Sequence, residues 1–298
     1  MNLVVGLGQV FWEYYFPNIS KNEYEFLDNN PINLPLAITC VNNIDEVSNG
    51  NYKCIYVLTP PDTHSEIIRK LHSITESFYI EKPVFKSLEE YQRAKLLVKN
   101  VSLLGGHSRR FFNNYIEFKK ILLNQMNQSK IVKINISEGG LYKWSPQSLE
   151  SIIDDEMSHM VDSILYILNF TDIKISHDII KVSGDNISNL HVEFVIGEIH
   201  VVIDYSRNSG LINQIKVDFE NNTSLHLNTK LNGAIHSYEN NILLEVKSSY
   251  KKQSSKSVFK EIISHVNNNS FKHDDAYQLT KFYNTLSIID KIKEESLK

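Results

Sequence analysis

The apolar positions of the first hundred residues fall in short runs separated by helical periods. Leu3-Val4-Val5, Tyr24-Glu25-Phe26-Leu27, Tyr52 to Leu58, Ser77 to Ile80 and Val101 to Leu104 read as strands, the first and third as buried ones. Between them, Ser65 to His72 sets Ile67, Ile68 and Leu71 in one stripe, with Asp62 or Thr63 expected as its cap. Ser87 to Val98 reads as another helix, with Ser87 as N-cap and Glu90 as its capping-box partner. Strands alternating with helices predict an open parallel sheet wound on both faces. From Pro31 to Asn51 the pattern is poor and too short for a full helix with its loops, so this half is expected to be trimmed there.

After Gly106 the pattern changes. His107-Ser108-Arg109-Arg110-Phe111-Phe112 leads into a helix through about Asn124, and Lys130 to Ser137 reads as a strand ending in Glu138-Gly139-Gly140. Asn189 to Ile196, Glu198 to Ser206, Ile212 to Glu220 and Ser224 to Thr229 are strand-like, joined by turns at Gly197, Asn208-Ser209-Gly210 and Asn221-Asn222. Such hairpin-linked runs predict an antiparallel sheet with one open face. Lys247 to Ser257 reads as a mobile polar loop, and Asp274 to Lys293 as a closing amphipathic helix. The expected fold is α/β: a first domain over residues 1–106, and a second, built on a large, mostly antiparallel sheet, over 107–298.

Composition narrows the class. With 31 basic and 35 acidic residues the net charge is −4, which carries neither a nucleic-acid footprint nor a membrane-surface patch. Cys40 and Cys54 imply no disulfide framework, and no apolar stretch approaches a membrane span or a secretion leader. A cytoplasmic protein is expected.

The candidate chemistry lies at the ends of the first set of strands. Gly6-Leu7-Gly8 follows the first strand, where a dinucleotide fold seats a pyrophosphate; Phe11 stands where a third glycine would permit close helix-to-strand packing. Asp28 ends the second strand at about the 20-residue spacing of the acid that binds adenosine ribose hydroxyls and repels a 2′-phosphate. NAD is therefore favoured over NADP, although Asp28-Asn29-Asn30-Pro31 is also ordinary turn chemistry. Thr59-Pro60-Pro61-Asp62-Thr63-His64 ends the strand at Leu58, and Glu81-Lys82-Pro83 ends the one at Ile80. In isolation Lys82 reads as a solvated strand-end lysine and His64 as a structural histidine. Ligands of such sheets lie outside the carboxyl ends of the strands, and Gly8, Asp28, Thr59, Pro60 and Lys82 all fall there.

A second constellation lies between Ile152 and Leu168. At 100° per residue Ile153, Met157, Met160, Ile164 and Leu168 share the apolar side, and Asp155, His159 and Asp162 share the other. This is either a solvated face or a proton-transfer face: oxidising an alcohol requires removal of a hydroxyl proton. A histidine oriented by a carboxylate four residues earlier can accept it near neutral pH. No third ligand accompanies His159 and Asp155, so no metal site is expected.

In this order, Gly6-Leu7-Gly8, Thr59 to His64, Glu81-Lys82-Pro83, Arg109-Arg110-Phe111, and Asp155 with His159 and Asp162 resemble the glucose-fructose oxidoreductase, inositol dehydrogenase and MocA (Gfo/Idh/MocA) oxidoreductases. The resemblance implies a Rossmann domain, a nicotinamide cofactor, and a sugar, polyol or nucleotide-sugar substrate. It also implies homodimers or homotetramers joined through the open sheet. Carried onto this chain, it makes Lys82, Asp155 and His159 catalytic, and Arg110, Asp155 and His159 substrate-binding. Gly6, Gly8, Gln9, Val10, Asp28, Thr59, Pro60, His64, Glu81 and Lys82 would hold the cofactor. Departures from the pattern are Phe11, the trimmed stretch before Tyr52, and Ser151-Ile152-Ile153-Asp154 in place of a glycine-rich approach. Two other readings stand beside the oxidoreductase: a scaffold of the same fold that has lost catalysis, and an enzyme that keeps NAD bound for a reaction with no net redox change.

Overall fold

The computed structural model describes residues 1–30, 38–47, 50–98, 101–139, 152–169, 175–184, 189–207, 211–248, 250–268 and 279–296, with backbone alone at 175–180 and 279–282. Gly140, Ser151, the turn at Asn208-Ser209-Gly210, the start of the closing helix at Asp274 and part of the trimmed stretch lie outside the described residues. Two compact units are present: Met1–Ser108 with Ser254–Leu286, and Arg109–Gln253 with Ser287–Lys298. The break after Ser108 falls beside the expected boundary, whereas Ser254–Leu286, expected in the second domain, packs in the first unit.

In the first unit β1 (Asn2–Val5), β2 (Tyr24–Leu27), β3 (Cys40–Val41), β4 (Ile55–Val57), β5 (Ser77–Ile80) and β6 (Ser102–Gly105) form one sheet in the order β3-β2-β1-β4-β5-β6. Every pairing is parallel. This is the doubly wound Rossmann order, with its switch point between β1 and β4. Alternation along the strands separates two buried layers. On one face Leu3, Ile55, Phe78 and Ile80 pack with Ile67, Ile68 and Leu71 of helix His64–Leu71 and with Tyr91 and Ala94 of helix Leu88–Leu97. On the other face Tyr24, Tyr56 and Tyr79 make a layer of rings beneath Tyr15 and Phe259, the latter on helix Ser255–Asn267. The layer is polar at its tips: Asn267 Oδ1 accepts from Asn2, Tyr24 and Tyr56 at 3.1, 3.2 and 2.8 Å.

Several local expectations are corrected. After the glycine turn the chain makes a π-helical turn, Phe11–Tyr15, and a 3-10 turn, Phe16–Asn18, instead of a regular helix. Phe11 is fully buried there, 5.8 Å from the Phe26 ring of β2. A wide turn gives that ring the room a third glycine would have saved. Neither Asp62 nor Thr63 caps the next helix; the Thr63 hydroxyl turns back to Thr59 Oγ1 at 2.6 Å and the Pro60 carbonyl at 2.7 Å. Ser87 caps as expected, but the Glu90 carboxylate accepts from the Lys86 N–H. The trimmed stretch contains the two-residue β3 and a 3-10 turn at Ile44–Glu46.

The second unit holds an eight-stranded sheet in the order β14-β13-β12-β11-β7-β10-β9-β8. Its strands are β7 (Ile131–Gly139), β8 (Ile175–Gly184), β9 (Asn189–Ile196), β10 (Ile199–Ser206), β11 (Gln214–Phe219), β12 (Thr223–Asn228), β13 (Ile235–Glu239) and β14 (Ile242–Lys247). All pairs are antiparallel except β7 with β10. One face is a continuous core of residues such as Ile134, Val192, Ile203 and Val217, packed with Phe118 of helix Asn113–Met126 and Met160 and Ile164 of helix Ser158–Ile167. The other carries polar and charged side chains such as His191, Glu193, Asp204 and Lys216.

Candidate active site

In the first unit parallel register aligns the strand ends. Val41, Leu27, Val5, Val57 and Ile80 stand side by side as the last residues of β3, β2, β1, β4 and β5, and Gly105 of β6 completes the row beside Ile80. The residues that follow therefore emerge along one edge: Gly6, Asp28, Thr59, Glu81 with Lys82, and Gly106.

The two glycines play different parts. Gly6 has φ +93°, and a Cβ there would lie 2.7 Å from Thr59 Cγ2 and 3.0 Å from the Leu58 carbonyl carbon. Gly6 is thus required by the closeness of the β1 and β4 ends. A Cβ on Gly8 would meet nothing within 4 Å, so packing inside the chain gives no reason for that glycine. Gly8, Gln9 and Val10 are exposed at the start of the helical segment, and the Gln9 amide bonds Glu13 at 2.5 Å.

Asp28 is partly buried and clasps the glycine turn. Its Oδ2 accepts the Leu7 N–H at 2.6 Å and its Oδ1 the Asn30 N–H at 2.8 Å. A carboxylate has about four lone-pair sites, so acceptor capacity remains beside these two bonds. Both the turn reading and the ligand reading of Asp28 are thus compatible with its place.

His64 is wholly buried, its ring nitrogens 2.9 Å from the Thr59 carbonyl and 3.1 Å from the Val84 carbonyl. Burial pushes its pKa down, against the pull of those carbonyls. It ties the Thr59-Pro60 turn to the segment after Lys82-Pro83, so any part it has in cofactor binding is exerted through those turns. The Lys82-Pro83 peptide is cis, and Lys82 is partly buried. Glu81 Oε2 accepts the Lys82 N–H at 3.1 Å, and Glu81 Oε1 accepts the Tyr15 hydroxyl.

The second unit holds the other constellation. Ile153–Met157 is a π-helical turn running directly into helix Ser158–Ile167. Asp155 and His159 are both partly buried, one turn apart. Asp162, grouped with them by 100° spacing, is 1% exposed and receives Arg110, from Nε at 2.9 Å and also from Nη2. Arg110, expected to contact substrate, is itself 6% exposed and lies 5.8 Å over the Tyr166 ring. Its guanidinium anchors the helix that carries His159. Arg109 makes a parallel fork to Glu138 at the end of β7, at 2.5 and 2.7 Å. Tyr205, paired with Glu138 across β10 and β7, has its hydroxyl pKa raised chiefly by burial, then by the charge of Glu156.

Sequence reasoning did not find the Tyr15–Glu81 bond, the Arg109–Glu138 fork or the Asp28–Leu7 clasp. Each joins residues distant in sequence, and no local spacing signals them.

Residues 18–104 match the Gfo/Idh/MocA oxidoreductase family model, described as an NAD-binding Rossmann fold. A Streptococcus pneumoniae protein named an uncharacterized oxidoreductase is 26% identical over 133 residues, covering 43% of this chain and 36% of that protein. Among solved structures, the dehydrogenase MviM from Clostridium difficile has a TM-score of 0.74 at 20% identity, covering 98% of each chain. UDP-N-acetylglucosamine 3-dehydrogenase GnnA from Acidithiobacillus ferrooxidans has a TM-score of 0.74 at 14% identity, covering 99% of this chain and 95% of that one. The chain thus shares the fold of these two dehydrogenases over nearly its whole length, and its residues 18–104 carry the likeness to the Gfo/Idh/MocA oxidoreductases.

Proposed function

We propose that this chain, with the Rossmann segment and overall fold of the Gfo/Idh/MocA oxidoreductases, interconverts a hydroxyl and a keto group on a sugar, polyol or nucleotide-sugar with NAD. The observation that carries the reading is the aligned row of strand ends, which brings Gly6, Asp28, Thr59 and Lys82 out along one edge. The substrate class rests on the resemblance and on the named activity of GnnA.

The residues fit a dinucleotide. Gly8, whose missing side chain no neighbour explains, leaves the exposed stretch Gly8 to Val10 open to a pyrophosphate, and Asp28 supplies an acid for ribose hydroxyls. When bound, the nicotinamide supplies the hydride acceptor or donor. Lys82 hydrogen-bonds the reacting oxygen and favours the charge that develops on it. His159 takes or returns the hydroxyl proton, Asp155 orients that imidazole and holds substrate, and Arg110 acts by fixing their helix through Asp162. The negative charge of Asp28 disfavours a 2′-phosphate, hence NAD over NADP. A division of function after residue 106, with the substrate groups on the second unit, a cytoplasmic location and a homodimer or homotetramer through the second sheet belong to the same reading. Ile242, Leu244 and Val246 of β14, 68%, 60% and 51% exposed, support the last. A native mass of one 34.4 kDa chain by light scattering would refute it.

Fluorescence titration with NADH and NADPH tests the cofactor, and Lys82→Met tests the site. NADH should bind and NADPH bind more weakly. Lys82→Met should lower turnover by about 10²–10⁴-fold while NADH affinity is largely kept. Near wild-type turnover in Lys82→Met would sink the assigned role. A second reading, a scaffold of this fold without catalysis, is favoured by the buried Phe11 standing where a third glycine would lie. Absence of NADH binding at millimolar concentration selects it.

A further inference from the structure

Beneath the strand-end edge of the first unit, one carboxylate joins the glycine segment to the lysine turn. Glu81 leaves β5 with its N–H on the Val57 carbonyl at 2.9 Å, so its backbone is still in the ladder. Its Oε2 accepts the Lys82 N–H at 3.1 Å, and its Oε1 accepts the Tyr15 hydroxyl. Gly106 closes over it from the end of β6: a Cβ there would come within 3.0 Å of Glu81 Cα and 3.1 Å of Glu81 Oε2. The carboxylate is therefore set between a glycine on one side and a tyrosine on the other.

Tyr15 is built for that contact. It is 1% exposed, its ring lies edge-on to Tyr56, Tyr79 and Phe259, and the Tyr79 hydroxyl stands 2.9 Å from its own. Burial first, and the Glu81 charge second, push the Tyr15 hydroxyl pKa well above its ordinary value. It therefore keeps its proton, and remains a donor to Glu81, at any pH at which the protein works. Removing the hydroxyl takes that donor from Glu81.

We propose that Tyr15 is a positioning residue for Lys82: its hydroxyl holds Glu81 in the rotamer that receives the Lys82 amide, and so couples the lysine turn to the segment that follows the glycine turn. Tyr15 comes four residues after Phe11, in the same π-helical turn that accommodates the Phe11 ring. The departure from the glycine pattern and the placement of Lys82 are thus parts of one arrangement. The inference rests on the reading of Lys82 as a working residue of the site, but its test is independent of finding a substrate.

The test is competitive acetylation of the full-length protein with a trace amine reagent, with Lys82 and the exposed Lys130 followed by peptide mass spectrometry. Tyr15→Phe keeps the ring and removes only the hydroxyl. The Lys82 rate in Tyr15→Phe is expected to change by about tenfold, the factor appropriate to a lost hydrogen bond to a charged group, with Lys130 unchanged. Glu81→Gln should alter Lys82 in the same direction, because the amide cannot accept at both of its ends. A purely packing role for Tyr15 would lower the melting temperature and leave the Lys82 rate alone. Unchanged Lys82 rates in the two folded variants overturn the proposal. Added NADH should protect Lys82 in the wild type; its failure to protect counts against the nicotinamide reading and leaves the Tyr15 comparison standing.

Discussion

Arg110 shows how one guanidinium can be claimed by two tasks. A solvent-facing arginine could grip a substrate, but both side chains of the Arg110–Asp162 pair are nearly sealed, 4% and 2% exposed. Two forked hydrogen bonds to a carboxylate in that setting offset the cost of taking both charges out of water. Removing one partner leaves the other charge buried and uncompensated. Asp162→Asn is therefore expected to destabilise the second unit by about 3–5 kcal/mol in urea unfolding, whereas Arg110→Met with Asp162→Leu recovers most of the loss. A cost under about 1 kcal/mol for Asp162→Asn would mean that Arg110 is held by something else and is available to a ligand.

At the scale of elements, the glycine turn separates fold from function. Gly6→Ala must put a side chain at φ +93° and drive it into Thr59, so a loss of about 1–3 kcal/mol and a lower melting temperature are expected. Gly8→Ala meets no neighbour, and should melt at or slightly above the wild-type temperature while NADH binding weakens. Equal NADH affinity in Gly8→Ala would argue against a pyrophosphate over this turn. The strands around it were legible because buried parallel strands are short, continuous apolar runs, and their carboxyl ends located Gly6, Asp28, Thr59 and Lys82 without any knowledge of contacts. The two π-helical turns were not legible, since a period of 100° assumes a regular helix. β13 and β14 escaped because β14 is apolar on successive residues, with Ile242, Leu243 and Leu244 all exposed, and shows no alternation. Helix Ser255–Asn267 escaped because its capping box uses Ser254 and Ser257, without the glutamate that usually marks one.

At the scale of the molecule, the last part of the chain serves both units, and each depends on it differently. The first unit receives helix Ser255–Asn267, whose Phe259 stacks on Tyr14 at 4.8 Å and whose Asn267 gathers Asn2, Tyr24 and Tyr56. Without them a sheet face of buried tyrosines would lie bare, with hydroxyls stripped of their shared partner. The second unit receives Ile288, Ile289 and Ile292, each at most 2% exposed, and the ion pair of Lys293 with Asp154 at 2.6 Å. Burying three such side chains contributes roughly 5–9 kcal/mol, comparable to the whole stability of an ordinary domain. A chain ended at Gln253 is therefore expected to lose cooperative unfolding in both units, seen as absence of a thermal transition by near-ultraviolet circular dichroism together with binding of a hydrophobic dye. Asn267→Leu, by contrast, should leave the second unit intact and lower the melting of the first, because it removes the hub and keeps the helix. If the shortened chain still melted cooperatively near the full-length temperature, the two cores would be self-sufficient, and the C-terminal helices would be accessories to them.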